Sequence, residues 1–320
     1  MKIFDDIAKV PKEFHNAVVA LGNFDGVHIG HQEIIKAVIA RAKQNNCPAG
    51  LITFYPHPAF VLNKAKDFRY LLTLDEKISR LQDLGLDFCV IINFTEGFAK
   101  INAKDFISDY LCGQLHASHI LTGSNFRFGY KREGDAQMLA EYATKLGYNY
   151  QVIDKVDYNH MEASSSAIKE LLTMGRLGRA NSMLGAPYPI TGIVEKGSGK
   201  AKEMLATPTA NIKLPNDKIQ PIFGVYMVRV IMGDQIKFGV ANIGVKPTFG
   251  ENQAGLEVNI FDHTEDIYGR TLTIEFLRFI RPELKFSSQE LLKYHIDMDI
   301  ISAKYLIRSL DSWLDYKLKI

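Results

Sequence analysis

Along the first half of the chain, short apolar runs alternate with stretches whose apolar positions recur every three or four residues. Residues 17–21, 50–54, 88–92 and 119–122 read as buried strands, while 32–46, 74–84 and 103–112 carry helical spacing. Apolar strands separated by amphipathic helices predict a parallel sheet covered on both faces. In such sheets ligands bind beyond the carboxyl ends of the strands. Residues 176–184 read as a last short helix, which Gly185-Ala186-Pro187-Tyr188-Pro189 breaks, so the expected domains are 1–186 and 187–320. Beyond the break the runs 190–194, 224–232, 236–243, 255–261 and 271–279 follow one another without helices. Several alternate with period two, as in Val225-Tyr226-Met227-Val228-Arg229-Val230, which predicts a small antiparallel barrel. In the tail, Leu291, Leu292, His295, Ile296, Ile300, Ile301, Tyr305, Leu306 and Leu310 form a helical stripe. It is expected to close the barrel as one long helix or two short ones. The predicted class is α/β followed by β.

Four polar clusters interrupt this pattern. The first, Gly22-Asn23-Phe24-Asp25-Gly26-Val27-His28-Ile29-Gly30-His31, joins the first strand to the first helix. Gly22, Gly26 and Gly30 are expected to let the backbone turn tightly against a ligand. The helix start behind them favours phosphate, and His28 and His31, three apart, share one face. The second is Phe54-Tyr55-Pro56-His57-Pro58, where His57 between prolines also suits a simple turn. The third, residues 123–135, mixes Asn125, Phe126, Arg127, Phe128, Lys131 and Arg132 with three glycines, which suits a flat ring and a phosphate, or a solvated loop. The fourth, Ser164-Ser165-Ser166-Ala167-Ile168-Lys169, reads as a helix N-cap or as hydroxyls facing an anion. Zinc on His28 and His31 would need a third ligand, for which His57 is the nearby candidate.

Composition narrows the partners. The 38 basic and 36 acidic side chains leave a net charge of +2, which gives no electrostatic reason to expect nucleic acid or an anionic membrane. Cys47, Cys89 and Cys112 are scattered without metal-like spacing and read as core residues. The N-terminal residues carry acids rather than a long apolar core, and no apolar run approaches the roughly 20 residues of a membrane span, so a cytoplasmic protein is expected.

The first cluster resembles the H-x-G-H signature of nucleotidyltransferases, in the longer G-x-F-D-G-V-H-x-G-H form of bacterial bifunctional riboflavin kinase/FAD synthetases. The 123–129 loop resembles that family's G-x-[DN]-F-x-F-G motif. Residues 164–169 resemble its S-S-T-x-I-R motif, with Ser166 in place of threonine and Lys169 in place of arginine. A lysine lacks the planar fork that grips phosphate bidentately. The resemblance implies a Rossmann-like domain that adenylylates FMN with ATP, releasing pyrophosphate. It makes His28 and His31 catalytic. Gly22, Asn23, Phe24, Asp25, Gly26, Gly30, Ser164, Ser165, Ser166 and Lys169 would bind nucleotide and phosphate, and His57, Asn125, Phe126, Arg127 and Phe128 the flavin.

The second half carries Thr207-Pro208-Thr209-Ala210-Asn211, similar to the P-T-A-N element of riboflavin kinases. Supporting matches follow in order: Asn242-Ile243-Gly244, Pro247-Thr248-Phe249, Glu257, Tyr268-Gly269, Arg281 and Phe286. By resemblance Thr209 and Asn211 hold Mg²⁺ and ATP, Glu257 is the base for the riboflavin 5′-hydroxyl, and Arg281 contacts flavin. The family's glycine-rich run before P-T-A-N is here Lys202-Glu203-Met204-Leu205-Ala206-Thr207, and Asn259 stands where histidine is common. Gly197 and Gly199 would supply the turn, and Lys196, Lys200 and Lys202 the positive charge. The resemblance implies riboflavin to FMN in the barrel, then FMN to FAD in the first domain. The alternative is FAD synthesis alone, with a barrel that binds flavin but phosphorylates poorly. Expected partners are ATP, riboflavin and FMN, with Mg²⁺, FMN and FAD as cofactor or product; no nucleic acid, no membrane, and a monomer or weak homo-oligomer.

Overall fold

The computed structural model describes residues 1–62, 68–158, 161–196, 209–245 and 254–317. The chain divides into two compact units, Met1–Ala167 and Ile168–Ile320.

The first unit is built on six parallel strands in the order β1-β4-β3-β2-β5-β6. They are β1 (Lys2–Phe4), β2 (Val18–Leu21), β3 (Ala49–Tyr55), β4 (Phe88–Asn93), β5 (His119–Gly123) and β6 (Asn149–Ile153). The four central strands are those expected. The edges β1 and β6 were not legible, because each is covered less completely and β6, Asn149-Tyr150-Gln151-Val152-Ile153, lacks a continuous apolar run. Val19 and Leu21 of β2 enter one core, with Phe106, Ile107 and Leu111. Val18 and Ala20 enter the other, with Ile34, Ile35 and Val38 of α1 (Ile29–Asn45). Helix α2 (Pro58–Val61) follows β3, and α3 (Leu74–Gln82) precedes β4 behind a Thr73/Glu76 capping box. Then α4 (Ala103–Asp105) runs into a π-helical stretch, Phe106–Gln114, and α5 (Ala136–Leu146) precedes β6. Cys89 lies in the core with its thiol pushed up to about 12 by burial, as a structural cysteine should be. Sheet order reverses at β2, which pairs with β3 on one side and β5 on the other. The crevice for a ligand therefore opens beyond the carboxyl ends of β2 and β5.

After the two-residue strands β7 (Asp157–Tyr158) and β8 (Met161–Glu162), helix α6 (Ser165–Thr173) crosses the division, and α7 (Leu177–Leu184) ends at Gly185. The second unit is a closed antiparallel barrel in the order β10-β13-β12-β11-β14-β9. The strands are β9 (Tyr188–Glu195), β10 (Thr209–Lys213), β11 (Gly224–Met232), β12 (Gln235–Val245), β13 (Ala254–Ile260) and β14 (Thr271–Pro282). Strand β10 holds Thr209 and Asn211. Alternation places Leu256 and Val258 inside, buried with Ala210 and Ile212, and Glu257 and Asn259 on the opposite, outer side.

The tail is one helix, α8 (Gln289–Lys317), whose Ile300, Ala303, Leu306 and Ile307 pack on Val225, Met227 and Val240 of the barrel's outer surface. The single expected stripe divides here. Leu292, His295, Ile296, Ile300 and Leu306 are partly covered, whereas Leu291, Ile301 and Tyr305 are exposed on the far face. Two stripes of opposite phase overlap in the sequence, which made them read as one.

Candidate functional site

The loop after β2 brings His28 and His31 together. Their rings stack with centroids 3.6 Å apart, and Phe24 packs on His31 at 5.0 Å. His28 is the N-cap residue of α1, so the pair stands at the positive end of a 17-residue helix. Both Nδ1 atoms are buried without a hydrogen-bond partner among the described residues. Burial lowers the His28 pKa to about 4 against a weaker opposing pull from Asp25 and Glu162. Burial, then the neighbouring His28 and Lys77 charges, hold His31 well below the usual value as well. The imidazoles are therefore neutral at pH 7 and act as polar hydrogen-bonding groups rather than cations.

The backbone carries the strain in unexpected places. Of the three glycines only Gly26 has a positive φ, 89°. Phe24 (51°) and Val27 (44°) take the left-handed region instead, unfavourable for both and sustained by their burial. Gly30 serves differently. A Cβ there would sit 3.2 Å from the His28 ring, so glycine leaves that imidazole its place.

Every carbonyl from Asn23 to His28 accepts a hydrogen bond. The Asn23 carbonyl accepts from Lys77 Nζ (2.9 Å) and Thr53 Oγ1 (2.9 Å), that of Asp25 from Ser165 Oγ (2.8 Å), and that of Gly26 from Arg80 (3.2 Å). The Val27 carbonyl accepts from the Gln32 side chain (2.9 Å), and those of Phe24 and His28 from the amides of Val27 and Gln32. Asp25 accepts from the Leu71 amide at 2.9 Å. Lys77 and Arg80 were not anticipated. Lys77 is buried, also donates to Thr53 Oγ1 at 3.0 Å, and has a pKa lowered to about 8, chiefly by burial. The available signal was its position: it sits in the apolar stripe of its helix, between Leu74 and Leu81.

Of the other clusters, the serine run touches this loop. Ser165 supports the Asp25 carbonyl, while Ser164 Oγ accepts from the Ala167 amide at 3.3 Å as a cap. Ser166 is exposed, and Lys169 lies one turn further along α6, within the second unit. His57 caps α2 by accepting from the Ala59 amide (3.1 Å) and stacks on Phe68 at 4.4 Å. On the loop after β5, Asn125 is exposed, Phe126 is half-buried and Phe128 is a core residue stacked beneath Phe126. Of the two rings, Phe126 is the one partly open to solvent. Arg127 pairs with Asp135 at 2.5 Å.

In the barrel, strand register aligns Asn211, Glu257, Asn242, Val225 and Arg281 in one row across five strands. Thr209 and Asn259 pair in the next outward row. At the end of the row Arg281 forks onto Asp299 of α8, at 2.9 and 2.7 Å, and lies over Phe286, 5.7 Å from its centroid. Its guanidinium thus ties strand to helix. Gly197, Gly199, Lys200, the 202–206 stretch, Thr207, Pro208 and residues 247–249 lie outside the described residues. Among the described residues no three His, Cys, Asp or Glu side chains gather as a metal cluster, so the zinc alternative has no third ligand. Likewise, no described helix is long and apolar enough to cross a membrane.

Two family models match the chain in tandem: FAD synthetase over residues 10–167 and riboflavin kinase over 184–307. Proteins named bifunctional riboflavin kinase/FMN adenylyltransferase are similar over most of its length. That of Listeria monocytogenes is 37% identical, covering 89% of this chain and 90% of its own. That of Bacillus subtilis is 36% identical (91% and 92%), and that of Escherichia coli K12 33% (93% and 95%). A crystal structure from Streptococcus pneumoniae, described as a macrolide-efflux protein, superposes with a TM-score of 0.83 at 29% identity, covering 93% of this chain and 96% of that one. With both halves matched in order and relatives aligned nearly end to end, the chain belongs to the bifunctional riboflavin kinase/FMN adenylyltransferase family.

Proposed function

We propose that this chain makes FAD in two ATP-dependent steps, with the working division between residues 1–186 and 187–320 and the cytoplasm as its setting. In the barrel, the riboflavin 5′-hydroxyl oxygen attacks the γ-phosphorus of ATP, ADP leaves, and Glu257 takes the hydroxyl proton. In the first unit, a 5′-phosphate oxygen of FMN attacks the α-phosphorus of a second ATP and pyrophosphate departs. Such transfers depend on in-line placement and on stabilising charge that spreads over phosphoryl oxygens. His28 and His31 donate imidazole N–H bonds to that charge without bringing a proton that must first be acquired. The α1 N-terminus adds its dipole. Asn125 and Phe126 are assigned to the flavin, and Lys169 to the departing pyrophosphate.

Mg²⁺ fits the barrel row. Thr209 and Asn211 alternate onto the same face of β10, and their neutral oxygens are the hard donors assigned to the ion. Neutral oxygens suit an ion that binds chiefly through ATP phosphates, which leaves Glu257 to its role as base. When bound, it would neutralise charge on those phosphates.

The observation that carries the adenylylation reading is the stacked, neutral imidazole pair at a helix start, whose Nδ1 atoms have no hydrogen-bond partner among the described residues. Chromatography of the flavins formed from riboflavin, and separately from FMN, with Mg-ATP tests the whole. Riboflavin should yield FMN and then FAD. Glu257→Ala should abolish FMN formation while FAD still forms from supplied FMN. No FMN from riboflavin with the intact chain would reduce the function to FAD synthesis alone, and loss of both activities in Glu257→Ala would refute separate sites.

A further inference from the structure

Helix α8 is apolar on two opposite faces, and the barrel covers only one. On the other, Leu291, Tyr294, Met298, Ile301 and Tyr305 are all exposed, from 41% for Leu291 to 74% for Tyr305. Their spacing of 3, 4, 3 and 4 residues makes a continuous seam of the a/d kind that two helices share. A helix apolar all round is a buried helix, so the uncovered seam calls for a cover. What flanks it identifies the cover. Along one edge run Glu290, Asp297 and Lys304, and along the other His295 and Ser302.

Two copies of this helix laid antiparallel put Met298 against Ile301 of the other copy and Tyr294 against Tyr305. The same alignment sets Asp297 beside Lys304 of the other copy, twice by symmetry. A parallel pairing leaves Asp297 opposite Ser302 and forms neither ion pair. The mixed signs of Glu290, Lys293, Asp297, Lys304 and Arg308 also differ from the basic polar face of a membrane-surface helix. We infer that the outer face of α8 is a self-association surface, pairing antiparallel with the same face of a second copy of this chain. A seam of this length buries on the order of 1,000 Å², the low end for specific interfaces, so the pairing is weak and reversible. It is independent of the reactions assigned above.

Sedimentation equilibrium of the full chain over a wide concentration range tests this. The protein should pass from monomer to dimer as concentration rises, and Ile301→Lys should weaken the dimer at least about tenfold. Because the Ile301 side chain is exposed on the face of α8 away from the barrel and takes no part in the Arg281–Asp299 pair, that variant should keep both flavin activities, which separates lost pairing from lost folding. Asp297→Lys should weaken dimerisation by several-fold, and the charge exchange Asp297→Lys/Lys304→Asp should restore it. Only antiparallel self-pairing predicts that restoration. A chain that stays monomeric throughout, a dimer indifferent to Ile301→Lys, failure of the exchange to restore it, or Ile301-dependent binding to anionic phospholipid vesicles in place of dimerisation would each overturn the inference.

Discussion

In the first unit the candidate catalytic groups come from one ten-residue loop whose carbonyls are held by its own amides and by side chains from α1, α3, β3 and α6. In the second they come from five strands and are brought into one row by register. The loop can offer imidazoles and amides to a phosphate because its carbonyls from Asn23 to His28 are all engaged and do not compete with an anion. In the barrel row, cross-strand pairing already sets where each Cβ stands. A site on a turn is therefore expected to be sensitive to residues that never touch substrate. A site on a sheet face should be sensitive mainly to the residues in the row.

The sharpest test of this contrast is His28→Ala. Losing a preorganised donor to developing phosphoryl charge should cut FAD formation from FMN by a hundredfold or more, with riboflavin phosphorylation unchanged. Near-normal FAD formation would remove the imidazoles from the mechanism. The next test is Lys77→Met. It keeps the bulk of the side chain but leaves the Asn23 carbonyl and the Thr53 hydroxyl one buried partner short, a loss of about 1–3 kcal/mol. Adenylyl transfer should fall roughly tenfold or more through kcat rather than KM, because the loop rather than a substrate contact is disturbed. Equal losses in both activities would mean that Lys77 holds the fold at large and not this loop.

These expectations also mark what the sequence reveals. Residues 17–31 announce strand, turn and helix because an apolar run, clustered glycines and helical spacing are all local signals. The outer row of the barrel is partly legible, since period two in residues 224–232 tells inside from outside, but register is not. Nothing local says that Asn211 will face Glu257, or that Arg281 will be engaged by Asp299. The supporting shell is the least legible part. Lys77 and Arg80 reach the loop from a helix some fifty residues away, and a lysine in an apolar stripe reads as noise until its acceptor is known. Arg127 suits a phosphate or a solvated loop from its neighbours in sequence, and its pairing with Asp135 eight residues on is not written in that pattern.

The smallest expected effect separates the two units by their response to acid. His28 is held near a pKa of about 4 in the folded chain, whereas an unfolded histidine titrates near 6.5. Between those values the unfolded state binds a proton that the folded state refuses, so stability rises with pH through the window and is lost as pH falls from about 6.5 toward 4. Above 6.5 the contribution is complete and flat. From pH 7 to pH 5.5 the His28 share amounts to about 1 kcal/mol, and His31, shifted in the same direction, adds to it. Calorimetry of the intact chain should then show the transition of the first unit falling by roughly 2–4 °C over that interval for each kcal/mol lost. In His28→Gln, which retains a polar side chain but cannot titrate, the dependence should flatten by the His28 share. If wild type and variant instead lose stability in parallel over that interval, the ring is not buried in its neutral form, and the loop does not hold its imidazoles ready for an anion.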